Sequence, residues 1–205
     1  MTSKKPLFVT GIGTGIGKTI VSAVLVEKLK ADYWKPVQSG DLDKSDSLSI
    51  QNLISNTVTK IHPESYRLTQ PFSPHKSAAI DGITIDLESI RLPGTNNALI
   101  VEGAGGLMVP LNNELLIIDL IKRLDIEVVL VSQNYLGSIN HTLLSIYALK
   151  NYGIPIRGII FNGKKDIYSK DFILENSGLK LLGHIPEYNT IDKKAIIDAV
   201  SYIDL

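Results

Sequence analysis

The residues best suited to chemistry form a glycine-rich run near the N-terminus, residues 11–19, with the sequence GIGTGIGKT. Glycines allow backbone N–H groups to turn inward and approach an anion closely. The N-terminus of a following helix adds partial positive charge. In such loops the lysine, here Lys18, reaches the β- and γ-phosphates, and the next hydroxyl, here Thr19, ligates magnesium. The run therefore predicts a nucleoside triphosphate site.

This loop is one residue longer than the common pattern. The common pattern has a glycine five residues before the glycine that precedes the lysine; that position is Ile12 here, with Gly11 one residue further back. A dinucleotide-binding loop would need a glycine in place of Ile16 and an acid where Lys35 stands, so nicotinamide binding is disfavoured. The alternative is a glycine-rich turn with an incidental Lys-Thr pair.

Two acidic residues could complete a magnesium site. Glu102 follows the apolar run 98–101, and a charge at the end of a buried strand needs a partner or a cation. The alternative for Glu102 is a strand end that faces solvent. Asp46 lies at a predicted helix start, where it could simply cap the helix. The sequence alone does not separate Asp46 from Asp41 or Asp43.

A lysine lies near the end of the second predicted strand, and a serine follows that strand. Lys35 and Ser39 lie in the segment YWKPVQSG, at an edge of the sheet that we expect near the phosphate loop. A cation there could hold the γ-phosphate or an anionic nucleophile and stabilise charge that develops during transfer. The hydroxyl of Ser39 could donate a hydrogen bond to the same group. Taken in isolation, the segment fits an ordinary surface lysine equally well.

Around these residues, short apolar runs alternate with helical patterns along the chain. Predicted strands are residues 7–10, 33–37, 98–101, 128–131, 156–161 and 181–185, and predicted helices are residues 19–30, 116–124, 139–152, 170–176 and 194–203. Continuous apolar runs are typical of strands buried on both faces of a parallel sheet. The alternation predicts a doubly wound α/β fold with a mostly parallel sheet and helices on both faces, of the P-loop NTPase type.

We predict one domain over residues 1–205, because the sequence has no repeat, low-complexity tract or convincing linker. Residues 56–93 contain four prolines and predict an excursion from the sheet with one or two short helices. In doubly wound sheets, ligands bind outside the carboxyl ends of the strands. The chemistry is therefore expected in the segments that immediately follow the strands.

Composition excludes several classes of protein. Basic and acidic residues number 21 each, so the chain lacks the basic excess that is typical of proteins that coat nucleic acid. The absence of cysteine excludes disulfide scaffolds, zinc-thiolate sites and thiol catalysis. No apolar run approaches the ~18–20 residues that span a bilayer, and no secretory apolar segment precedes the glycines. We expect a soluble, cytoplasmic protein with neither nucleic acid nor a membrane as partner.

Several short motifs occur in an order that resembles one family. After the phosphate loop come KPVQSG at residues 35–40, Ser-Asp at 45–46, Ser-Pro-His at 73–75, VEGAGG at 101–106 and LGSINH at 136–141. Each motif alone is weak, but the ordered set resembles dethiobiotin synthetase over about the whole chain.

The resemblance implies an ATP- and magnesium-dependent cyclo-ligase of biotin biosynthesis. Its substrates would be 7,8-diaminononanoate, carbon dioxide or bicarbonate, and ATP. One amine would become a carbamate, whose oxygen attacks the γ-phosphate to give a carbamic–phosphoric anhydride. The second amine would then displace phosphate and close the ureido ring of dethiobiotin. The resemblance also implies a homodimer with the diamine across the subunit interface.

The resemblance gives a role to each matching residue. The catalytic residues would be Lys18, Lys35 and Thr14, and the magnesium ligands would be Thr19, Asp46 and Glu102. Substrate contacts would be Ser39 and a helix start, Ser138, Ile139 and Asn140, which binds the substrate carboxylate from the partner subunit. The ATP site would comprise Gly15, Ile16, Gly17, Lys18, Thr19, Ile20, Asp46, Glu102, Gly103, Ala104, Gly105, Asn162, Gly163, Pro186, Glu187 and Tyr188, with Asn162 reading the adenine.

This chain departs from some relatives within the phosphate loop, where Gly13 and Gly15 replace acidic residues. No base for deprotonation of the substrate amine is identified. His75 and His141 are candidates, although a hydrogen-bonded structural role is commoner for a histidine.

Three other functions compete with the ligase. A partitioning-type ATPase switch shares the fold but carries an extra lysine five residues before the loop lysine, where this chain has Gly13. A small-molecule kinase would release a stable phosphorylated product instead of free phosphate. A glutamine-dependent synthetase would carry an amidotransferase domain with a nucleophilic cysteine, and this chain has no cysteine.

Overall fold

Strands and helices alternate along almost the whole chain in the computed structural model, which describes residues 5–205. In chain order the elements are β1 (Leu7–Gly11), α1 (Lys18–Leu29), β2 (Asp32–Trp34), β3 (Val37–Ser39), α2 (Asp46–Leu53), β4 (Ile61–His62), β5 (Tyr66–Leu68), α3 (Pro74–Ile80), β6 (Leu99–Gly106), α4 (Ile117–Leu124), β7 (Glu127–Gln133), α5 (Ser138–Asn151), β8 (Ile156–Asn162), α6 (Ile167–Ser177), β9 (Leu181–Ile185) and α7 (Lys193–Ala199). Short 3₁₀ turns occupy Leu42–Lys44, Leu87–Ser89 and Val200–Tyr202.

Seven of these strands form one parallel sheet in the order β4-β2-β6-β1-β7-β8-β9. Because successive side chains of a strand point to opposite faces, each central strand supplies two cores. On one face α1, α2 and α7 pack over residues such as Val9 and Val129. On the other face α4, α5 and α6 cover residues such as Phe8 and Phe161. The predicted doubly wound fold with helices on both faces is therefore confirmed.

The single strand predicted over residues 33–37 is wrong. The chain leaves the main sheet after Trp34, and β3 pairs with β5 in a separate two-stranded parallel sheet. Pro36 lies at the break, and it has no N–H to donate to a strand ladder. The carbonyl of Pro36 instead accepts the N–H of Tyr66, the first residue of β5.

Residues 56–93, predicted to leave the sheet and to form one or two short helices, also contain short strands. They contain α3 and a 3₁₀ turn, as predicted, but also β4, which forms an edge of the main sheet beside β2. Each strand here is two or three residues long, too short to give a recognisable period.

The predicted end of the strand before Glu102 is also wrong, because β6 continues to Gly106. Its pairing with β1 shifts between Val9↔Glu102 and Gly11↔Gly106, so three residues of β6 oppose one residue of β1. This bulge carries Gly103, Ala104 and Gly105 around the phosphate loop.

Helix ends differ slightly from the sequence pattern. The structure begins α6 at Ile167, where the Asp166 side chain accepts the N–H of Ser169 as a cap, and it ends α7 at Ala199. Across residues 5–205, no helix has both the length and the apolar character that crossing a bilayer requires.

Candidate active site

The phosphate loop joins β1 to α1 in a conformation that needs glycine. Gly15 and Gly17 have φ angles of 74° and 89°, in the left-handed region that side chains other than glycine disfavour. Lys18 is the first residue of α1, and its Nζ donates to the carbonyl of Gly13 at 2.8 Å. Burial, reinforced by the positive charge of Lys35, lowers the pKa of Lys18 to about 8.

Three oxygen atoms converge beside this loop. The Oγ1 atom of Thr19 lies 2.8 Å from Oδ1 of Asp46 and 2.8 Å from Oε1 of Glu102. A hydroxyl has one proton, so it can donate to only one of two carboxylates at a time. A set of oxygen atoms with excess negative charge suits a hard divalent cation such as magnesium.

The magnesium ligands predicted from the resemblance thus lie together and fit the ion. Within residues 5–205 no group of three or more histidine or acidic side chains is placed to hold a metal ion. A cation at Thr19, Asp46 and Glu102 would therefore take its remaining ligands from phosphate oxygens and water, which is usual for magnesium beside a nucleotide.

Lys35 completes the cluster from the carboxyl end of β2. Its Nζ lies 2.5 Å from Oδ2 of Asp46 and 3.5 Å from Oε1 of Glu102, and its side chain is only 6% exposed. Burial alone would lower the pKa of Lys35, but the two carboxylates raise it above its ordinary value. The side chain is therefore a buried ammonium, and the alternative of a surface lysine is wrong.

Helix α2 supplies Asp46 without using it as a cap. Ser45 occupies the cap position, and its side chain accepts the N–H of Leu48 at 3.4 Å. The carboxylate of Asp46 is therefore available to Thr19 and Lys35, and Lys35 lowers the pKa of Asp46 against the opposing effect of burial. The structure thus separates Asp46 from Asp41 and Asp43, which the sequence did not.

Sequence reasoning missed two residues of this cluster. The hydroxyl of Tyr33 donates to Oε2 of Glu102 at 3.0 Å, and Gln38 accepts the N–H of Asp46 at 3.4 Å. Burial, followed by the charge of Glu102, raises the pKa of Tyr33 well above its ordinary value, so the phenol remains a donor. The two-residue period of a strand was a usable signal, because it puts Tyr33 on the same face as Lys35.

A cleft of about 680 Å³ is lined by Thr19, Lys35, Asp46 and Glu102. The predicted site residues that line it are Thr14, Gly15, Gly17, Lys18, Thr19, Ile20, Lys35, Ser39, Asp46, Glu102, Ala104 and Gly105. Apolar side chains, Phe72 and Val109 among them, also line the cleft. Ser39 lines the cleft, and its buried hydroxyl has no hydrogen-bond partner among the described residues, so its donor is not used within the protein.

Two predicted ATP-site residues lie behind the cleft. The side chain of Ile16 is buried and fills the space beside Gly11, where a Cβ would lie 2.3 Å from its Cδ1. A Cβ at Gly103 would lie 2.8 Å from the Phe8 ring, so this glycine allows the bulge of β6 to pack closely. Ile16 thus packs beneath the phosphate loop, and Gly103 allows β6 to pack against β1.

The residues expected around the base gather at the carboxyl ends of β8 and β9. Asn162 pairs with Ile185, and the N–H of Gly163 donates to the Ile185 carbonyl at 2.9 Å, just before Pro186. The Asn162 amide donates to the Ile16 carbonyl at 3.1 Å and packs tightly against Gly17. This group therefore adjoins the phosphate loop.

The hydroxyl of Tyr188, which follows Glu187, is used within the protein. Its hydroxyl donates to Oδ2 of Asp198 at 2.7 Å, and burial together with that hydrogen bond raises its pKa. Any contribution of Tyr188 to the base site would thus come from its ring.

The start of α5 lies outside the cleft. The Ser138 N–H donates to the Tyr135 carbonyl at 2.9 Å, and the Ser138 hydroxyl accepts the Tyr135 N–H at 3.3 Å, so Ser138 is used within the turn. The N–H groups of Ile139 and Asn140 belong to the first helical turn, where no intrahelical acceptor exists. They remain suited to binding an anion.

The two candidate histidines take part in local hydrogen bonds outside the cluster. His75 contacts the Ser73 hydroxyl at 3.0 Å, and His141 contacts the Tyr135 hydroxyl at 2.8 Å. His141 lines a second, largely apolar cavity with Thr14 and Leu144. Neither histidine contacts Lys35, Asp46 or Glu102.

Structural comparison identifies the fold. The cell division ATPase MinD of Pyrococcus furiosus superposes with a TM-score of 0.62 at 14% identity, over 97% of each chain. A ParA family ATPase from Chlorobium tepidum superposes with a TM-score of 0.60 at 15% identity, over 98% of this chain and 99% of the other. At such low identities the likeness concerns the fold alone.

Sequence comparison identifies the family. A model described as an AAA domain matches residues 5–195. The ATP-dependent dethiobiotin synthetase BioD of Christiangramia forsetii is 49% identical over 94% of this chain and 92% of its own length. That of Cytophaga hutchinsonii is 49% identical over 94% of this chain and 93% of its own length. With the ordered motifs and the cluster around Lys35, these likenesses show that the chain belongs to the ATP-dependent dethiobiotin synthetase family.

Proposed function

We propose that this protein is an ATP-dependent ligase that closes the ureido ring of dethiobiotin on 7,8-diaminononanoate. The observation that carries the proposal is the buried ammonium of Lys35 beside Thr19, Asp46 and Glu102, at the edge of the phosphate loop. Lys35 and Lys18 bring positive charge to the expected position of a terminal phosphate, where an anionic nucleophile must approach, and the excess negative charge of Asp46 and Glu102 would be met by a magnesium ion.

The difficulty of the reaction is electrostatic. A carbamate, formed from one substrate amine and carbon dioxide, must bring its oxygen to the γ-phosphorus although both groups are anionic. Lys18, Lys35 and the loop N–H groups supply a fixed positive field that favours this approach. Thr19, Asp46 and Glu102 would hold a magnesium ion, which when bound neutralises charge on the β- and γ-phosphates.

The remaining bonds then balance without a protein nucleophile. The carbamate oxygen forms a bond to the γ-phosphorus, and ADP leaves. The second amine attacks the carbonyl carbon of the resulting anhydride, and phosphate leaves as the carbon–nitrogen bond closes the ring. Positioning and electrostatics are the main contributions that a protein makes to phosphoryl transfer.

The cleft suits the other substrates. Thr14 and Ser39 bring hydroxyls to the same cleft as Lys35, and the apolar side chains of Phe72 and Val109 in its lining suit the hydrocarbon chain of the diamine. Because the Asn162 amide nitrogen is already bonded, its carbonyl oxygen is left to accept from the exocyclic amine of adenine.

A homodimer would bring the start of α5 to the diamine. Met108, Leu144 and Tyr147 are exposed around the second cavity, of about 770 Å³, which adjoins Thr14 at its edge. Contiguous exposed apolar side chains mark an interaction surface.

We expect Tyr147→Asp to shift the protein to monomer in sedimentation analysis, whereas Tyr168→Asp, at an 89% exposed tyrosine on α6, should not. An unchanged dimer in Tyr147→Asp would contradict this interface.

One assay tests the reaction. The protein is incubated with ATP, Mg²⁺ and labelled bicarbonate, with and without 7,8-diaminononanoate. The proposal predicts one labelled cyclic urea, one ADP and one phosphate per turnover, all dependent on the diamine. A stable phosphorylated product would indicate a kinase, and ATP hydrolysis that responds to DNA or lipid would indicate a switch; either result would overturn the proposal.

A further inference from the structure

The Glu102 carboxylate is held from two sides. Its Oε1 atom faces the site, at 2.8 Å from Thr19 and 3.5 Å from Lys35. Its Oε2 atom points the other way and accepts the hydroxyl of Tyr33 at 3.0 Å. Tyr33 is fully buried and Glu102 is 1% exposed, so water does not compete readily for this hydrogen bond.

The position of the phenol is fixed by the sheet. Tyr33 lies on β2 opposite Ile100 of the neighbouring strand β6, and Glu102 lies two residues further along β6 on the same face. The Tyr33 ring belongs to the core that packs under α1 and α2. The donor is thus attached to a rigid element, whereas the terminal torsion of a glutamate side chain is soft.

We propose that Tyr33 is a positioning residue that sets the orientation of the Glu102 carboxylate in the cation site. The inference rests on the proposed function, in which Glu102 helps to hold magnesium. Without the hydroxyl, Oε2 would be buried with no donor, which is unfavourable. The carboxylate would then rotate to share both oxygens with Lys35 and Thr19, and the three oxygen donors would no longer converge.

The test is the variant Tyr33→Phe, which removes only the hydroxyl. The matched control is Tyr66→Phe, which also removes a hydrogen-bonded hydroxyl, 2.7 Å from Ser89 and outside the site. Binding of Mn²⁺ in the presence of a non-hydrolysable ATP analogue is measured from the electron paramagnetic resonance signal of free Mn²⁺. We expect Tyr33→Phe to weaken Mn²⁺ binding about ten-fold, the usual effect of losing a partner behind a metal ligand.

Binding of the ATP analogue without metal should be unchanged in Tyr33→Phe, and Mn²⁺ binding should be unchanged in Tyr66→Phe. Equal Mn²⁺ affinity in wild type and Tyr33→Phe would overturn the inference. So would a parallel loss of metal-free nucleotide binding, because a general disturbance of the fold weakens both.

A double-mutant cycle identifies the path of the effect. In a Glu102→Ala background, whose fold is checked by circular dichroism, the additional change Tyr33→Phe should no longer alter Mn²⁺ affinity. A persistent ten-fold effect in that background would overturn the role of Tyr33 through Glu102. If Tyr33→Phe weakens Mn²⁺ binding but the wild type forms no cyclic urea, the proposed reaction is wrong and the positioning role stands.

Discussion

Buried carboxylates occur at both ends of β2, and the two groups differ in what remains for a ligand. At the start of the strand, Asp32 is enclosed by four donors. Its Oδ1 accepts the Lys60 N–H at 2.9 Å and the Asn97 amide at 3.0 Å, while its Oδ2 accepts the Thr95 hydroxyl at 2.6 Å and lies 3.2 Å from Nε2 of His62.

At the other end, Asp46 and Glu102 face a lysine, a hydroxyl and an open cleft. Their negative charge exceeds what Lys35 alone neutralises, and the cleft gives access to a bound molecule. A buried charge therefore does not by itself mark a functional site. The cleft end is distinguished by excess negative charge and by access, whereas the carboxylate of Asp32 is satisfied within the protein, so we expect a structural role for it.

The largest effect is expected from Lys35→Gln. Loss of a preorganised positive group at a developing charge lowers turnover by ~10²–10³-fold, while affinity for a non-hydrolysable ATP analogue should fall far less. Steady-state kinetics and calorimetric titration measure the two quantities. The control is Lys44→Gln, since Lys44 also lines the cleft but is exposed. A loss of nucleotide affinity with normal turnover would contradict the role of Lys35.

Glu102→Gln should raise the Mg²⁺ concentration for half-maximal activity by about 10–100-fold, because one anionic oxygen donor is lost. A magnesium titration of phosphate release measures this change. An unaltered titration curve would contradict the assignment of Glu102 to the cation site. It would indicate a structural role for Glu102, like the role expected for Asp32.

Asp32→Asn should affect stability and leave turnover near wild type. The amide keeps the shape of the carboxylate, but its NH₂ group would face neighbours that are themselves hydrogen-bond donors. We therefore expect a loss of about 1–3 kcal/mol in the free energy of unfolding. Urea denaturation at neutral pH measures it. Lost turnover with normal stability would show that the two ends of β2 are not functionally distinct.

The difference in stability between wild type and Asp32→Asn should also depend on pH. Although burial opposes them, the hydrogen bonds from Thr95 and Asn97 lower the pKa of Asp32 below its ordinary value of 3.8. The stability that Asp32 contributes is therefore complete above pH 3.8 and is lost as the pH falls through the lower folded-state pKa. The difference in unfolding free energy between wild type and Asp32→Asn should shrink in that acidic range. A difference that stays constant there would contradict the ionised network.

Much of the site could be predicted where one short segment determines the geometry. The phosphate loop is such a segment, because glycine spacing and the following helix set the positions of Lys18 and Thr19. The fold followed from apolar runs that alternate with helices. The family resemblance, carried by motifs spread along the chain, added Asp46 and Lys35 to a single site.

Other features depended on contacts between distant segments. The role of Asp46 became distinct only when Ser45 proved to be the cap and Thr19 proved to be its neighbour. The bulge after Glu102 arises from register with β1, and the hydrogen bond from Tyr33 arises from register with β6. Strand register is a property of the folded sheet, and short strands such as β4 have too few residues to reveal it beforehand.

The most direct measurement is a crystal structure with Mg²⁺, a non-hydrolysable ATP analogue and 7,8-diaminononanoate. We expect Nζ of Lys35 within about 2.7–2.9 Å of a γ-phosphate oxygen, with the oxygens of Thr19, Asp46 and Glu102 around one magnesium ion. A γ-phosphate remote from Lys35, with the metal bound away from Asp46 and Glu102, would contradict the electrostatic basis of the proposed reaction.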